Sequence, residues 1–334
     1  TSTTARGSVV EQGKALSSAF HSTRSRLVEI RDQADLDIRS TVNTVNDLAQ
    51  TVADLNKKIR IAENNDINTS DLIDHRSEAI NQIAELTGAR STTNVDGTIT
   101  LTLGDGQALV YGDQVANLTA ADTPPNGLAT VSIDGQPAVF NEGKLRGLQN
   151  GVGFIGGQIQ TLDDLAASVA GRVNTLHATG SDLNGAAGGD FFATPASGPV
   201  TAQNIDVASA VKANARLVVA AASSAGGGDG SVARGIASLL SDKTSVVGAT
   251  TGSYTEVFAS LVSSAGSAVK TADDELTTQA AILAQTKAQR DSVSGVSLDE
   301  EAINLLQYQK AYEAAARFLR VADEMTQTIL QLGQ

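Results

Sequence analysis

Apolar positions recur every seven residues through the first third of the chain. One series is Ile38, Val45, Val52 and Ile59, and a second is Ala34, Thr41, Leu48, Leu55 and Ala62. Polar residues fill the positions between them, so the pattern predicts a long amphipathic helix with a narrow apolar seam. From 27 to 62 this helix would measure roughly 54 Å, and its seam extends back towards Phe20. The polar segment 63–66 ends it.

Helical spacing returns in four later segments. A second helix is predicted over 70–86, with Gly88 as its stop. A central helix is predicted over 157–179 and a short one over 231–240. A long helix then carries apolar residues three and four apart, at Phe258, Val262, Ala265, Val269, Ala272, Leu276, Leu283 and Val293.

The final helix is predicted to begin at Ser297, where Ser297 and Glu300 have the spacing of a capping box. One apolar stripe is Leu305, Tyr308, Tyr312, Ala315, Leu319, Ala322 and Ile329. A second stripe contains Leu306, Phe318, Val321, Met325 and Leu332. Two stripes form a face too wide for a single partner helix, so we predict an assembly surface that contacts other subunits. The alternative is an ordinary core within this chain.

Between the helices the pattern changes to a period of two. Residues 98–103 alternate strictly between polar and apolar, and Asp-Gly pairs at 96–97, 105–106 and 134–135 are typical of hairpin turns. We therefore predict a small antiparallel β-hairpin unit over 91–140. The Gly-rich stretch 181–230 is predicted to form loops with short strands near 217–220.

These elements predict a mainly α protein, an elongated antiparallel helical bundle with long terminal helices and a small β unit. The bundle body is discontinuous, drawn from 1–90, 150–180 and 231–296, and 297–334 forms the assembly helix. The predicted bundle core contains Ile38, Val45, Leu48, Val52, Leu55, Ile59, Val262, Val269 and Leu276.

Composition narrows the possible functions. The chain has 334 residues, no Cys and a formal net charge of −13. The absence of Cys excludes disulfides and thiolate chemistry, and the negative charge disfavours nucleic-acid binding. The chain contains no run of about 18 apolar residues, the length needed to span a membrane. The segment 1–4 has no apolar signal core.

The sequence offers no constellation for catalysis. His21, His75 and His177 lack partners at metal-ligand spacing, and no nucleotide-binding or hydrolase fingerprint occurs. The adjacent carboxylates of Asp163 and Asp164 are expected on a solvated helix face. We predict no enzyme activity, no cofactor and no metal site.

Several segments resemble the flagellar axial proteins of bacteria, the family of rod, hook and junction components. Residues 294–302 (SGVSLDEEA), 305–312 (LLQYQKAY) and 322–325 (ADEM) resemble that family's closing helix. Residues 72–76 (LIDHR) and 184–192 (NGAAGGDFF) resemble its hook-associated junction members. The segments occur in the family's order, and the resemblance covers nearly the whole chain.

The resemblance implies a structural ring between hook and filament, export through the flagellar type III apparatus without a cleaved signal, and no catalysis. The implied partners are other copies of the chain, the hook protein, the second junction protein and an export chaperone for the last helix. In the family, N- and C-terminal helices pair into an inner coiled-coil layer, of which 297–332 would supply half.

Two departures from the family pattern carry expectations of their own. The family's Asn-rich N-terminal helix has no counterpart before Thr1, so we expect a truncated or processed molecule that cannot form the inner layer normally. Only about 35 residues separate Phe192 from the next helical segment. No separate outer β domain is therefore expected.

Three alternative functions stay open. Another axial component, such as hook-associated protein 3 or a flagellin-like protein, would share the helices. A secreted enzyme on a helical stalk would need a polar pocket within 91–230. A cytosolic coiled-coil scaffold fits the helices but leaves the hairpin unit unexplained.

Overall fold

The computed structural model describes residues 2–124, 127–223, 228–248, 250–294 and 298–332. Its helices are α1 (Thr3–Glu63), α2 (Ser70–Thr87), α3 (Gly143–Ala178), α4 (Ser209–Ala213), α5 (Ser231–Ser238), α6 (Tyr254–Ser294) and α7 (Leu298–Leu332). The predicted mainly α fold with a small antiparallel β component is confirmed. The chain divides into two compact units, 1–261 and 262–334, so the division falls within α6 rather than at the predicted boundary near 297.

The β component forms two main sheets rather than one unit. The first is an antiparallel meander of β1 (Arg90–Thr93), β2 (Ile99–Thr102), β3 (Ala108–Tyr111) and β4 (Gln114–Val115). The second contains β5 (Leu118–Thr123), β6 (Leu128–Ile133) and β7 (Gln136–Pro137). Two-residue ladders join β8 (Gly180–Ser181) to β9 (Ala221–Ala222) and β10 (Val246–Val247) to β11 (Thr250–Thr251).

The two main sheets share one core with the helices. Leu101, Leu109 and Val131 pack in the same cluster as Val45 of α1 and Leu145 of α3. Strands of two to six residues bury too little apolar area to be stable alone, so their inner faces lie against the seam of α1. Within that seam Ile38, Val45, Val52, Leu55 and Ile59 are buried, and Leu48 is half-buried.

A second core lies nearer the start of α1. Val10 and Phe20 of α1 pack with Leu165 and Ala170 of α3, together with residues from 191–218, from α5 and from the beginning of α6. The early part of α1 therefore meets the late part of α3, while the late part of α1 meets the early part of α3. The two long helices are antiparallel, and they connect both cores.

Two helices begin earlier than predicted. Helix α1 starts at Thr3, where the Ser2 hydroxyl accepts a hydrogen bond from the Ala5 amide, and α3 starts at Gly143. The prediction of 157 for α3 was wrong because five glycines lie between 147 and 157. Each costs about 1 kcal/mol in a helix. Burial of Leu145 and partial burial of Leu148 and Val152 override that cost.

The Gly-rich stretch contains more helix than expected. The helix α4 and a 3-10 turn, Ala215–Leu217, precede the predicted strands near 217–220, where the chain is extended without forming a ladder, and β9 begins only at Ala221. Apolar Val211, Val218 and Val219 are nevertheless buried. Val211 and Val218 belong to the second core, although their short runs have no clear period.

Gly13 allows α1 to approach residues 191–207 closely. A Cβ atom added there would lie 2.8 Å from Val207 Cγ2 and 2.9 Å from the Phe191 ring. We expect Gly13→Leu to lower the free energy of unfolding by about 1–3 kcal/mol, because these buried side chains would have to move. Gly7→Leu is the matched control. A Cβ atom at Gly7 meets nothing within 4 Å, so better helix propensity should raise stability by up to about 1 kcal/mol. Equal effects in urea denaturation would contradict the close approach.

Candidate assembly surface

The helices beyond residue 261 expose apolar side chains. Among the side chains that the structure describes between 262 and 320, only Ser264, Ala265 and Ala268 are even partly covered, and the rest are exposed. Large exposed apolar side chains in this segment include Ile282, Leu283, Ile303, Leu306 and Phe318. Monomeric proteins rarely expose so much contiguous apolar surface, which marks the segment as a binding surface.

The predicted assembly stripe lies on α7. Leu305, Tyr308 and Tyr312 are 57%, 76% and 79% exposed, and Ala315 is also exposed. The side chains of Leu319, Ala322 and Ile329 lie outside the described residues, as does the predicted capping box at Ser297. The spacing of Leu305, Tyr308, Tyr312 and Ala315 places them along one face of the helix.

Three residues predicted for the bundle core lie on the surface instead. Val262, Val269 and Leu276 of α6 are 53%, 71% and 69% exposed. Spacing of three and four residues indicates that a helix has an apolar face, and it carries no information on whether the same chain covers that face. Tyr254, Val257 and Leu261, at the start of α6, are the ones that pack into the second core.

A pair of side chains on α3 fixes the Asp-Phe-Phe motif at 190–192. The Asn174 carboxamide oxygen accepts hydrogen bonds from the amides of Phe191 and Phe192 at 3.0 and 2.8 Å, and its Nδ2 donates to the Phe192 carbonyl at 2.8 Å. One turn later, His177 lies 5.7 Å from Phe191, ring centroid to ring centroid. Both phenylalanines are thereby held in the second core against Val10 of α1.

His177 is buried, and both of its ring nitrogens are used. The Val219 amide donates to Nε2 at 2.9 Å, so Nε2 carries no proton, and Nδ1 donates to the Gly189 carbonyl at 2.6 Å. Burial lowers the pKa of His177, and the nearby Arg6 acts in the same direction. The bond to Gly189 and the charge of Asp190 oppose that shift. The folded state therefore favours the neutral ring.

The stability of the 1–261 unit should therefore fall in mild acid. The unfolded state takes up a proton at the ordinary histidine pKa of about 6.5, before the folded state does. The contribution of His177 is complete above that pH, declines as pH falls towards the lower folded pKa, and is constant below it. We expect the difference in urea-unfolding free energy between the wild type and His177→Gln to shrink over this range. A difference independent of pH would contradict the buried neutral ring.

Two other polar side chains, Asp163 and His21, also bridge elements. The expectation of a solvated face was wrong for Asp163, which accepts from Arg24 Nε at 3.0 Å and from the Ala202 amide at 2.8 Å. His21 bonds the Ile205 carbonyl through Nε2 at 2.9 Å, while His75 is exposed. Asp182 accepts from the amides of Asn184 and Ala186, which closes a tight turn.

An apolar groove crosses the 1–261 unit beside the second core. It consists of two hollows of about 420 and 460 Å³ that share Leu16, Val169, Val173 and Ile236. Residues 5–23 of α1 form one wall, α3 forms the floor, and α5 forms much of the other wall. Arg6, His177 and Tyr254, the last at the start of α6, are its only charged or titratable lining residues in the described part of the chain.

The described residues contain no group of three or more His, Cys, Asp or Glu side chains placed to share a metal ion. Among the same residues, none of the helices combines the length and the hydropathy needed to cross a lipid bilayer. The most prominent surface features of the described chain are apolar. They are the exposed faces of α6 and α7 and the groove on the 1–261 unit.

Comparison with known proteins connects both parts of the chain to the flagellum. Residues 1–192 match the model of the helical domain of flagellar hook-associated protein FlgK. Residues 287–332 match the C-terminal model of the flagellar basal body rod proteins FlgEFG. The second match covers α7 and thus includes the exposed stripe.

Individual relatives agree with these models. The chain is 26% identical to flagellar hook-associated protein 1 of Bacillus subtilis, over 98% of this chain and 71% of that protein. It is 23% identical to the Escherichia coli protein of the same name, over 98% and 76%. The flagellar hook junction protein FlgK of Burkholderia pseudomallei has a similar fold, with a TM-score of 0.53 and 23% identity. That similarity covers 58% of this chain and 37% of the other.

Proposed function

Because the chain belongs to the FlgK family of flagellar hook-associated proteins, we propose that it is a structural subunit of the junction between hook and filament. The observation that carries the proposal is the exposed apolar stripe of α7, in a segment that also matches the C-terminal model of flagellar rod proteins. In this proposal the stripe is buried between copies. Affinity comes from many copies of a modest apolar contact.

The proposed residues of the assembly surface are Leu305, Tyr308, Tyr312, Ala315, Leu319, Ala322 and Ile329. We also assign Val262, Val269 and Leu276 to this surface, because their apolar side chains are exposed in the described chain and, like those of α7, would be covered by a partner. Burying a large apolar side chain contributes about 1.5–3 kcal/mol, so a few such residues per contact suffice to hold a ring.

The 1–261 unit would transmit load. In α1 and α3 two long antiparallel helices pass through both cores, and Arg24 pairs with Asp163 between them. A force along these helices acts on continuous backbone hydrogen bonds and on two interlocked cores, not on one loop. This arrangement suits an adapter between a flexible and a stiffer segment.

The proposed partners are further copies of the chain, the hook protein and the second junction protein. Before assembly, an export chaperone would cover the apolar face of α7, since that face would otherwise aggregate. We propose export to the cell exterior through the flagellar apparatus without a cleaved signal. The absence of Cys is compatible with passage in an unfolded state, because no disulfide can form on the way.

Gold-labelled antibodies against the 1–261 unit test the proposal on isolated flagella. A junction protein gives a single narrow band of label where the hook meets the filament. Label along the whole filament would instead support the flagellin-like alternative, and the absence of label from flagella would reject both. The same preparation from cells that lack the gene is the control.

A further inference from the structure

The groove on the 1–261 unit is suited to receive a helix. Val9, Leu16 and Thr23 line it at seven-residue spacing along α1, and all three side chains are at least partly exposed. The wall from 5 to 23 spans roughly 27 Å, the length of five helical turns. Val169, Val173 and Ile236 make the floor and far wall apolar. A complementary helix would therefore need an apolar stripe with a seven-residue repeat.

Helix α6 carries such a stripe. Val262, Val269, Leu276 and Leu283 are spaced by seven residues, extend over roughly 32 Å of helix and are all more than half exposed. The length and repeat of this stripe match those of the groove wall. A strict seven-residue repeat is characteristic of helices that pack lengthwise against another helix.

The charges of the two segments are also complementary. Residues 5–23, which form the groove wall on α1, contain Arg6, Lys14 and Glu11, a net charge of +1, although the whole chain carries −13. Residues 262–283 of α6 contain Lys270 and the run Asp273, Asp274 and Glu275, a net charge of −2. Opposite net charges favour the approach of these two segments over contact between two copies of the same segment.

We propose that the groove of one copy binds the Val262–Leu283 stripe of a second copy. The proposal rests on the proposed function, because a ring supplies the neighbouring copy at high local concentration. In this proposal α6 of one copy contacts the 1–261 unit of the next copy, and α7 supplies the assembly stripe described above. One chain thus both offers a stripe and receives one, a head-to-tail contact that forms a closed ring when the rotation between copies divides a full turn.

Disulfide trapping in assembled flagella tests this contact, and the chain has no Cys to interfere. Leu16→Cys is combined with Val269→Cys or Leu276→Cys, the middle positions of groove wall and stripe, and isolated flagella are oxidised. Trapping requires the two Cβ atoms to come within about 4.5 Å. A ladder of dimers and larger oligomers on non-reducing gels, absent after reduction, is the expected result.

Two matched controls keep the result specific. Leu36→Cys replaces Leu16→Cys at an exposed apolar position of α1 outside the groove, and Thr278→Cys replaces Leu276→Cys on the opposite face of α6. Neither control pair should form a ladder. The proposal would be overturned by equal ladders in test and control pairs, by the absence of a ladder with both test pairs, or by cross-links to a different flagellar protein. If the chain is absent from the flagella, the proposed function fails as well.

Discussion

Asn56→Ala is expected to lower the free energy of unfolding of the 1–261 unit by about 3–5 kcal/mol. Asn56 is fully buried on α1, and its side chain joins three parts of the fold. Nδ2 donates to the carbonyls of Ile99 and Gly112 at 2.9 and 2.7 Å. Oδ1 accepts from the Ile99 amide and from Arg76 Nη1, both at 3.0 Å. Alanine would leave several buried polar groups unpaired, each at a cost of about 1–3 kcal/mol.

The buried charge of Arg76 makes the loss larger. Arg76 is the last residue of the 72–76 motif and lies on α2, and burial lowers the pKa of its guanidinium. Without Asn56, the Gly97 carbonyl, 3.1 Å from Nη1 of Arg76, would remain as an acceptor for that atom. Breaking one contact of a buried charge is costly because water cannot replace it.

Urea denaturation followed by far-UV circular dichroism measures this effect. Asn43→Ala is the control, since Asn43 is an exposed asparagine on the same helix, and it should change the free energy by no more than about 0.5 kcal/mol. A loss below about 1 kcal/mol for Asn56→Ala would mean that the network does not hold α1, α2 and the first sheet together.

The double substitution Leu305→Asp with Tyr312→Asp should abolish incorporation into flagella and leave the 1–261 unit folded. Both side chains are exposed in the described chain and would be buried on assembly. Each contact then loses two apolar groups worth about 1.5–3 kcal/mol each and gains two carboxylates that must leave water. The resulting penalty of at least about 3 kcal/mol per contact lowers affinity more than 100-fold.

The control keeps the charge change and moves it to polar positions. Gln309→Asp with Lys310→Gln also makes the net charge more negative by two, on the same turns of α7, and should assemble normally. Quantitative immunoblots of isolated flagella measure incorporation, and thermal melts of the purified variants report the 1–261 unit. Normal incorporation of the Asp pair would remove α7 from the assembly surface, and a lowered melting temperature would indicate a role in folding.

Much of the helical fold could be predicted because apolar spacing is a local property. The series from Ile38 to Ile59 predicted the late part of α1, and Gly88 ends α2 in the left-handed conformation at φ 68°. The start of α3 could not be predicted, because the packing of Leu145 and Val152 outweighs the local cost of the glycines.

The polar contacts could not be predicted for a different reason. Asn56 and Arg76 are 20 residues apart, and Asn56 and Ile99 are 43 apart, so only the folded chain brings them together. The one signal in the sequence was the position of Asn56 directly after Leu55, where a polar residue lies beside the apolar seam of α1.

The assembly role of the α7 stripe stays a prediction, and the predicted core position of the α6 stripe is wrong. The stripe of α7 was assigned to assembly from its two apolar faces, whereas the equally regular stripe of α6 was assigned to a core. The two have the same kind of spacing, and spacing does not distinguish a partner within the chain from one in a second copy. Only the exposure of Val262, Val269 and Leu276 separates these cases.

Deletion of the gene tests whether the chain links hook and filament and whether that link depends on α7. The measurement is the ratio of flagellin in the medium to flagellin attached to cells. The deleted strain is complemented with the wild type, with the Leu305→Asp and Tyr312→Asp pair, or with the Gln309→Asp and Lys310→Gln control. We expect flagellin to be released into the medium on deletion, attachment to be restored by the wild type and by the control, and release to continue with the Asp pair. Filaments that remain attached after deletion, or full rescue by the Asp pair, would contradict the proposed link.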